Sequence, residues 1–329
     1  MALPIDVRDV MRSGTRFVAE REQPVRIAVF VEVDAPDVLI EELRTQLRPT
    51  TAGASLQIEV AELGAPPALA AGTEVVIAVA GTGNVGLREA LAGPRRVRVP
   101  VVVVALGDAE REGQLAGALM QPTGDMLVYE APGQVVDRLG AWLADNMGSK
   151  RLALAHNFAF IRRAVAEEAV KTTAWQNALI GTVTPIPGAD MPIMTANQIK
   201  MLMQVAAAYG QPLGVERVKE LAAVVAGGYV MRAIARQALV AVPVLGWAIK
   251  GGIGYSGTLA MGRAAITYFE EGADLGQVTA RFRELGRKAA GRLPRRGAAI
   301  LPPPTVPTAA VPPVAGPALP AAGDEDAGA

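Results

Sequence analysis

The stretch Leu221–Phe269 constrains this chain most, because it contains no acidic residue and only four cations. Apolar surface of this extent has to be covered by a protein core, a partner or a lipid boundary. We expect its cations to extend from an apolar surface to the phosphate groups of an anionic leaflet. The four cations are Arg232, Arg236, Lys250 and Arg263. For Arg232 and Arg236, acids of another helix or subunit are the alternative partners.

A basic amphipathic segment follows at residues 275–291. Apolar residues recur there every three or four positions, and most of the remaining positions are cationic. Its cations include Arg281, Arg287 and Lys288. The pattern favours an anionic lipid surface, near which each cation contributes roughly 1 kcal/mol. A solvated helix that packs on its own domain is the alternative.

The apolar stretch is too short to predict a clean membrane-spanning helix. Its longest uncharged run, at residues 238–249, is shorter than the roughly 18 residues that a span requires. We therefore expect a shallow hairpin that turns at Pro243 or at 250–252. Gly254, Thr258 and Gly262 are spaced by four, a pattern that permits close approach of two helices in membranes and in soluble proteins.

The length of 329 residues predicts two domains. Strands alternate with helices up to residue 148, which predicts an α/β domain with a parallel sheet covered on both faces. The predicted strands are 25–33, 56–63, 73–80, 97–106 and 126–129. The second domain is expected to be all-helical, with helices that include 151–180, 195–209 and 255–271. The predicted segments are an amphipathic helix at 1–22, the α/β domain at 23–148, the helical domain at 149–292 and a disordered tail rich in Pro and Ala at 293–329.

Composition excludes several classes of function. The chain has no Cys, and His156 is its only imidazole, so we expect no metal site, no catalytic constellation and no enzymatic activity. Aromatic residues make up 4%, and 32 basic residues balance 32 acidic ones, which argues against nucleic acid as a partner. The amino terminus carries charges every few residues and lacks the apolar segment of a signal peptide, so we expect a cytoplasmic protein.

One loop resembles a cofactor-binding motif. Gly81, Gly83 and Gly86 form a G-x-G-x-x-G string after a predicted strand, and Asp108 follows the next strand. In a dinucleotide site, such glycines let a helix amino terminus meet a pyrophosphate, and the acid binds a ribose. A plain loop is the simpler interpretation, because the following helix is short. We therefore predict no bound cofactor and keep dinucleotide binding as an alternative.

A set of positions in the second half carries a family resemblance. The set consists of Pro185, Pro187, Asp190, Gln198, Met201, Tyr209, Gly210, Pro243, Gly246, Gly262, Ala265, Tyr268 and Phe269. Over about residues 150–272 it resembles the bacterial domain of unknown function family 697, the domain of the YcjF-like membrane proteins. The resemblance implies an α-helical module at the membrane that functions beside a GTPase. It implies no biochemical activity.

The same resemblance suggests how to interpret the first domain. Ala105–Asp108 stands where a GTPase carries its guanine-reading N-K-x-D motif, and the string G-x-x-x-x-G-K-[ST] of a P-loop occurs nowhere in the chain. The domain thus looks like a degenerate, GTPase-like fold that has lost its nucleotide motifs.

Three functions follow as hypotheses. The first is a non-enzymatic scaffold or GTPase-associated protein whose helical domain contacts the cytoplasmic leaflet of the membrane, with anionic lipid or a partner protein such as a GTPase as its partner. The second is a soluble nucleotide- or dinucleotide-binding protein that uses the glycine loop. The third is a soluble homo-oligomer whose interface is the apolar stretch.

Overall fold

A five-stranded parallel sheet organises the first half of the chain, as a computed structural model of residues 7–183, 191–213 and 246–271 describes it. Its spatial order is β2-β1-β3-β4-β5, and all four strand pairs are parallel. The β-branched runs that predicted buried strands form the middle of the sheet. The strands are β1 (Val25–Glu32), β2 (Ala54–Ala61), β3 (Val75–Val79), β4 (Val101–Leu106) and β5 (Met126–Tyr129).

Helices cover both faces of this sheet, as the alternation of strands and helices predicted. Alternate residues of each strand point to opposite faces, so β1 places Ile27 and Val29 in one core and Ala28 and Phe30 in the other. The helices of this half are α1 (Val7–Arg21), α2 (Asp37–Gln46), α3 (Val85–Ala90), α4 (Ala92–Arg96), α5 (Ala109–Leu119) and α6 (Pro132–Asn146). Helices α2 and α6 pack in the first core, and α3 and α5 pack in the second.

Two elements differ from the sequence prediction. The predicted strand at 97–106 begins only at Val101, because the amides of Val97 and Val99 donate to the carbonyl groups of Gly93 and Pro94 and extend the turns of α4. Helix α5 was not predicted, because Leu115 and Leu119 are its only large buried side chains. Asp108 starts this helix by accepting hydrogen bonds from the amides of residues 110 and 111.

The second half is helical, but the long helix predicted at 151–180 is wrong as a single element. It is divided at Phe158, whose backbone is extended, with φ −126° and ψ 117°. The carbonyl oxygen of Asn157 accepts from the amide of Thr50 at 2.7 Å, which holds the break against the sheet domain. The helices are α7 (Arg151–Asn157), α8 (Arg162–Val183), α9 (Met191–Ala208) and α10 (Gly246–Glu271).

Helix α10 is longer than predicted. It runs without interruption through residues 250–252, so the turn expected there is wrong. The alternative turn at Pro243 lies outside the described residues. So do the basic segment at 275–291, the Pro-rich tail and the positions Pro185, Pro187 and Asp190.

Small residues let α10 approach α8 closely. A Cβ atom added at Gly254 would lie 2.9 Å from the carbonyl oxygen of Asn177, and one added at Gly262 would lie 2.9 Å from Cβ of Val170. Both distances are shorter than real Cβ atoms show, so neither position has room for a side chain. The close helix approach predicted from this spacing is confirmed, and it occurs within the protein.

Between the two glycines lies a fully buried amide and hydroxyl cluster. Thr258 donates its hydroxyl hydrogen to the carbonyl oxygen of Gly254 at 2.7 Å. The hydroxyl oxygen of Thr258, Oγ1, accepts from Asn177 Nδ2 at 3.0 Å and from Gln198 Nε2 at 2.9 Å. The three side chains are 0% exposed, so this hydroxyl fixes the register of α8, α9 and α10 at one point.

The first of the two cores extends from the sheet into the helical half. The first core contains Val75 and Ile77 of the sheet together with Leu154, Phe158 and Val165 of the helical half. All described residues lie within one compact unit, Met1–Arg287. The helical half is therefore held against the face of the sheet that carries α2 and α6.

The close contact of α8 and α10 predicts opposite effects for two glycine substitutions. We expect Gly262→Ala to lower the free energy of unfolding by about 1–3 kcal/mol, because Val170 has to move. Gly252→Ala should raise it by up to about 1 kcal/mol, since Gly252 is exposed in the same helix and an added Cβ meets no atom within 4 Å. Urea denaturation measures both. Equal effects at the two positions would contradict the packing.

Candidate functional site

The carboxyl edge of the sheet is where a fold with this strand order binds ligands. Strands β1 and β3 are neighbours, and the connection after β1 leads to α2 on one face while that after β3 leads to α3 on the other. This divergence leaves a crevice at the ends of the two strands. Residues 32–34 and the glycine loop at 81–86 meet there.

The side chain of Asp34 occupies the hydrogen-bond donors of the glycine loop. Its Oδ2 atom accepts from the amides of Thr82 at 2.9 Å and Gly83 at 3.1 Å, and also from the Thr82 hydroxyl. The hydroxyl contributes most to lowering the pKa of Asp34, so the carboxylate is charged at neutral pH. The anion that the loop amides bind is therefore a carboxylate of the same chain.

Two of the three glycines have packing reasons of their own. A Cβ atom at Gly81 would lie 2.7 Å from Cγ of Asp34, and one at Gly86 would collide with the carbonyl oxygen of Ala61 in β2. Gly83 has more room, since Asp34 Oδ2 is 3.9 Å from an added Cβ. The spacing that suggested room for a pyrophosphate is explained at these two positions by contacts within the protein.

A second carboxyl group, that of Glu32, is buried beneath the loop. It is 6% exposed, and its Oε2 atom accepts from the amide of Gly81 at 3.1 Å. Burial raises the pKa of Glu32, the neighbouring charge of Asp34 raises it further, and the hydrogen bonds from backbone amides oppose this. Glu32 therefore acts as an acceptor for the loop from below.

Asp108 lies at the same edge but serves another purpose. Its Oδ1 atom accepts from the amides of Glu110 and Arg111 at 3.1 and 3.0 Å and so caps α5. Arg111 in turn donates to the carbonyl oxygen of Gly81. The structure brings Gly81, Gly83 and Gly86 together with Asp34, while Asp108 joins them only through Arg111. Dinucleotide binding by these residues stays a prediction.

A signal for Asp34 is present in the sequence, although reasoning from motifs missed it. The acids Glu32 and Asp34 follow a buried strand directly, and the glycine loop follows another. In a parallel sheet both ends lie at one edge, so their contact follows once the two strands are neighbours. Taken by itself, the pair Asp34 and Asp37 predicts only a solvated helix face or cap, because the order of strands in a sheet cannot be read from residue spacing.

The predicted lipid-contact residues lie mostly outside the described part of the chain. Arg263 is exposed on α10, and Lys250 lies in the same helix. Arg232, Arg236, Arg281, Arg287 and Lys288 fall outside the described ranges. Within those ranges no helix has both the length and the apolar character that crossing a bilayer demands.

Large apolar side chains are nevertheless exposed at one end of the helical half. Trp175 and Leu179 lie one turn apart on α8 with 62% and 61% of their surface exposed, and Ile193 at the start of α9 is 54% exposed. Trp175 makes an edge-to-face contact with Tyr255 of α10, with the ring centroids 5.2 Å apart. Exposed aromatic and aliphatic side chains beside one another mark a contact surface.

A cleft of about 660 Å³ separates α6 from α8. Its walls carry charges of both signs, which include Asp137, Arg138, Arg163 and Glu167. Arg163 is engaged with carboxylates, at 3.0 Å from Glu167 and 3.3 Å from Glu270. The cleft therefore favours no ligand of one charge. Among the described residues, no three acids or imidazoles are grouped as a metal site would require.

The fold and its carboxyl edge define a class of protein in which a doubly wound parallel sheet, with its glycine loop bonded internally, is joined to a helical bundle. Residues 151–294 match the family model described as "Domain of unknown function (DUF697)". The match covers these residues, less than half of the chain, and it is to this part of the sequence that the family description applies. It has no match among the curated proteins or the solved structures compared with it.

The described positions behind the family resemblance are packing residues. Tyr209 stacks on Phe269 with ring centroids 5.7 Å apart, and its hydroxyl donates to Glu270 Oε1 at 3.0 Å. Burial, reinforced by the charge of Glu270, raises the pKa of Tyr209. Met201 is buried, and Gln198 belongs to the cluster at Thr258. These positions therefore fix how α8, α9 and α10 pack.

Burial of Glu32 predicts a pH-dependent stability. The unfolded chain loses this proton at lower pH than the folded chain, so stability should fall as pH rises from the ordinary value of 4.5 through the raised pKa, and stay lower above it. Glu32→Gln keeps an acceptor for Gly81 and removes the titration. We expect the free energy of unfolding of Glu32→Gln, compared with that of the wild type, to be higher at pH 8 than at pH 4.

Urea denaturation at several pH values measures this difference. Glu59→Gln at an exposed position of β2 controls for the loss of one acidic side chain. A gain at Glu32→Gln that is the same at pH 4 and pH 8 would contradict a buried titrating carboxyl.

Proposed function

We propose that this protein is a non-enzymatic scaffold whose sheet domain binds no nucleotide at its carboxyl edge and whose helical domain contacts the cytoplasmic leaflet of the membrane. In this view the sheet domain is a degenerate, GTPase-like module, and the helical domain is the lipid-facing one. An anionic lipid surface is the principal partner, and a GTPase is the protein partner we expect.

The hydrogen bonds to Asp34 carry the non-enzymatic part of this proposal. A phosphate that approached the amides of Thr82 and Gly83 would meet a carboxylate already bonded to both. Two like charges within hydrogen-bond distance of the same donors repel each other by several kcal/mol at the dielectric constant of a protein surface. The absence of a P-loop string removes the lysine that could offset this repulsion.

Two features support lipid contact by the helical domain. The acid-free stretch Leu221–Phe269 and the cations after it have the composition of a segment at an anionic surface. Trp175, Leu179 and Ile193 present apolar side chains to the surroundings at one end of the bundle. Tryptophan is favoured at the boundary between headgroups and acyl chains. Both features fit a helical domain that lies at the surface of the membrane.

Calorimetric titration tests the sheet domain. We expect the wild-type chain to show no saturable binding of GTP, ATP, NAD or NADP, because Asp34 holds the loop donors. Saturable binding that disappears in Gly83→Asp would favour a nucleotide-binding protein instead. Circular dichroism of the variant controls for its folding.

Liposome flotation tests the helical domain. We expect the full chain to float with vesicles of phosphatidylcholine and phosphatidylglycerol, and less with phosphatidylcholine alone. Neutralising Arg281, Arg287 and Lys288 together to Gln should weaken binding on the order of 100-fold, given roughly 1 kcal/mol per cation. The matched control neutralises the exposed Arg16, Arg44 and Arg138, whose loss should change little.

A protein that ignores both vesicle types would remove the lipid part of the proposal. Light scattering in buffer without detergent then separates the remaining hypotheses. A defined oligomer would favour the apolar stretch as an interface between copies, as composition also allows.

A further inference from the structure

Four arginines lie between the glycine loop and the start of β4, on the face of the sheet that carries α3 and α5. Arg88 belongs to α3, Arg95 and Arg96 belong to α4, and Arg98 follows before β4 begins. Arg98 holds a left-handed backbone with φ 58°, which is uncommon for a residue with a side chain. Such conformations persist where surrounding contacts impose them. We call these four residues the arginine cluster. In the sheet domain no other stretch of similar length contains as many cationic residues.

Two of these guanidinium groups converge on one point at the end of α5. Arg88 Nη2 lies 3.6 Å from Met120 Sδ, and Arg95 Nη2 donates to Gln121 Oε1 at 2.6 Å. Gln121 is 7% exposed and donates its own amide hydrogen to the carbonyl oxygen of Val101 at 3.2 Å. Arg95 is thus held in place by a buried side chain that is itself anchored to β4.

No carboxylate neutralises this cluster within the described residues. None of the ion pairs found there includes Arg88, Arg95, Arg96 or Arg98. Glu89 is the nearest acid in sequence, and its Oε2 atom accepts from the amide of Gly64 at 2.8 Å. The second half of α5, residues 113–120, has no charged side chain. Burial and the positive charge of Arg88 lower the pKa of Arg95.

Like charges that are held together without a counter-charge raise the free energy of the unliganded protein. A phosphate group offers oxygens that two planar guanidinium groups bind with paired hydrogen bonds, and partial burial strengthens such bonds. The carboxyl end of α5 supplies only a fraction of one negative charge at this point. The cluster therefore lacks an anion of its own.

We propose that Arg88 and Arg95, with Arg96 and Arg98 beside them, form a binding site for a phosphate group. The phosphate belongs either to a small soluble ligand or to a phospholipid headgroup. Val97 and Met120, which are 62% and 71% exposed, border the site with apolar surface. This site does not rest on the function proposed for the helical domain, because it uses other residues in the other half of the chain.

The experiment uses the full chain with two kinds of probe at constant ionic strength. Calorimetry with inorganic phosphate and pyrophosphate reports soluble ligands. Sedimentation with phosphatidylcholine vesicles, with and without phosphatidylglycerol, reports headgroups. We expect Arg88→Gln combined with Arg95→Gln to weaken binding of at least one probe by about tenfold or more. The control combines Arg16→Gln with Arg44→Gln, two exposed and ion-paired arginines of α1 and α2.

Each outcome decides the proposal. Loss of pyrophosphate binding in the double variant supports a soluble ligand, and loss confined to phosphatidylglycerol vesicles supports a headgroup. Equal binding by wild type and double variant, or no binding of any probe by the wild type, overturns it. Arg88→Gln alone tests the site if removal of Arg95 unfolds the chain, since Arg88 is exposed. The pyrophosphate arm contains no lipid, so it stands even if flotation fails.

Discussion

The hydrogen bonds from the loop at 81–83 to Asp34 determine what the carboxyl edge of the sheet can do. Amide groups at such an edge attract an anion, and in this chain that anion is the carboxylate of Asp34, which follows β1. The same contact explains why Gly81 lacks a side chain. Glu32 accepts from the amide of Gly81, and Arg111 donates to the carbonyl oxygen of the same residue, so these backbone groups of the loop are bonded to the protein itself. The sheet keeps the crevice of a doubly wound fold while the amides of Gly81, Thr82 and Gly83 are already bonded.

The helical half combines features of membrane and soluble proteins. Gly254 and Gly262 bring α10 against α8 as small residues do in membranes, and Thr258 joins three helices through buried hydrogen bonds. Yet this interface is internal to the protein, where Val170 of α8 and Ile266 of α10 belong to one buried cluster. Close packing along α10 therefore leaves other surfaces for a partner, of which the exposed end at Trp175 and Leu179 is one.

The sequence allowed the sheet and its two covered faces to be predicted, because runs such as Val101–Leu106 can only be buried strands. Helix α5 was missed, since its two leucines give too weak a period. The break at Phe158 was missed because it depends on Thr50, more than a hundred positions earlier in the chain. The contact of Asp34 with the glycine loop depends on strand order in the same way. The local sequence pattern predicts helices and strands, whereas the break at Phe158 and the contact of Asp34 depend on residues far apart in the sequence.

Two regions of the sheet domain have opposite electrostatic characters. At the carboxyl edge the carboxylates of Glu32 and Asp34 accept hydrogen bonds from amides of the loop, whereas the arginine cluster between the loop and β4 forms no ion pair among the described residues. A charged group is stable in a protein when a partner or water compensates it, and Arg95 is partly withdrawn from water. In our proposal an anionic ligand therefore binds at the arginine cluster, where it competes with no carboxylate of the chain, and not in the crevice typical of this fold, where Asp34 already holds the amides.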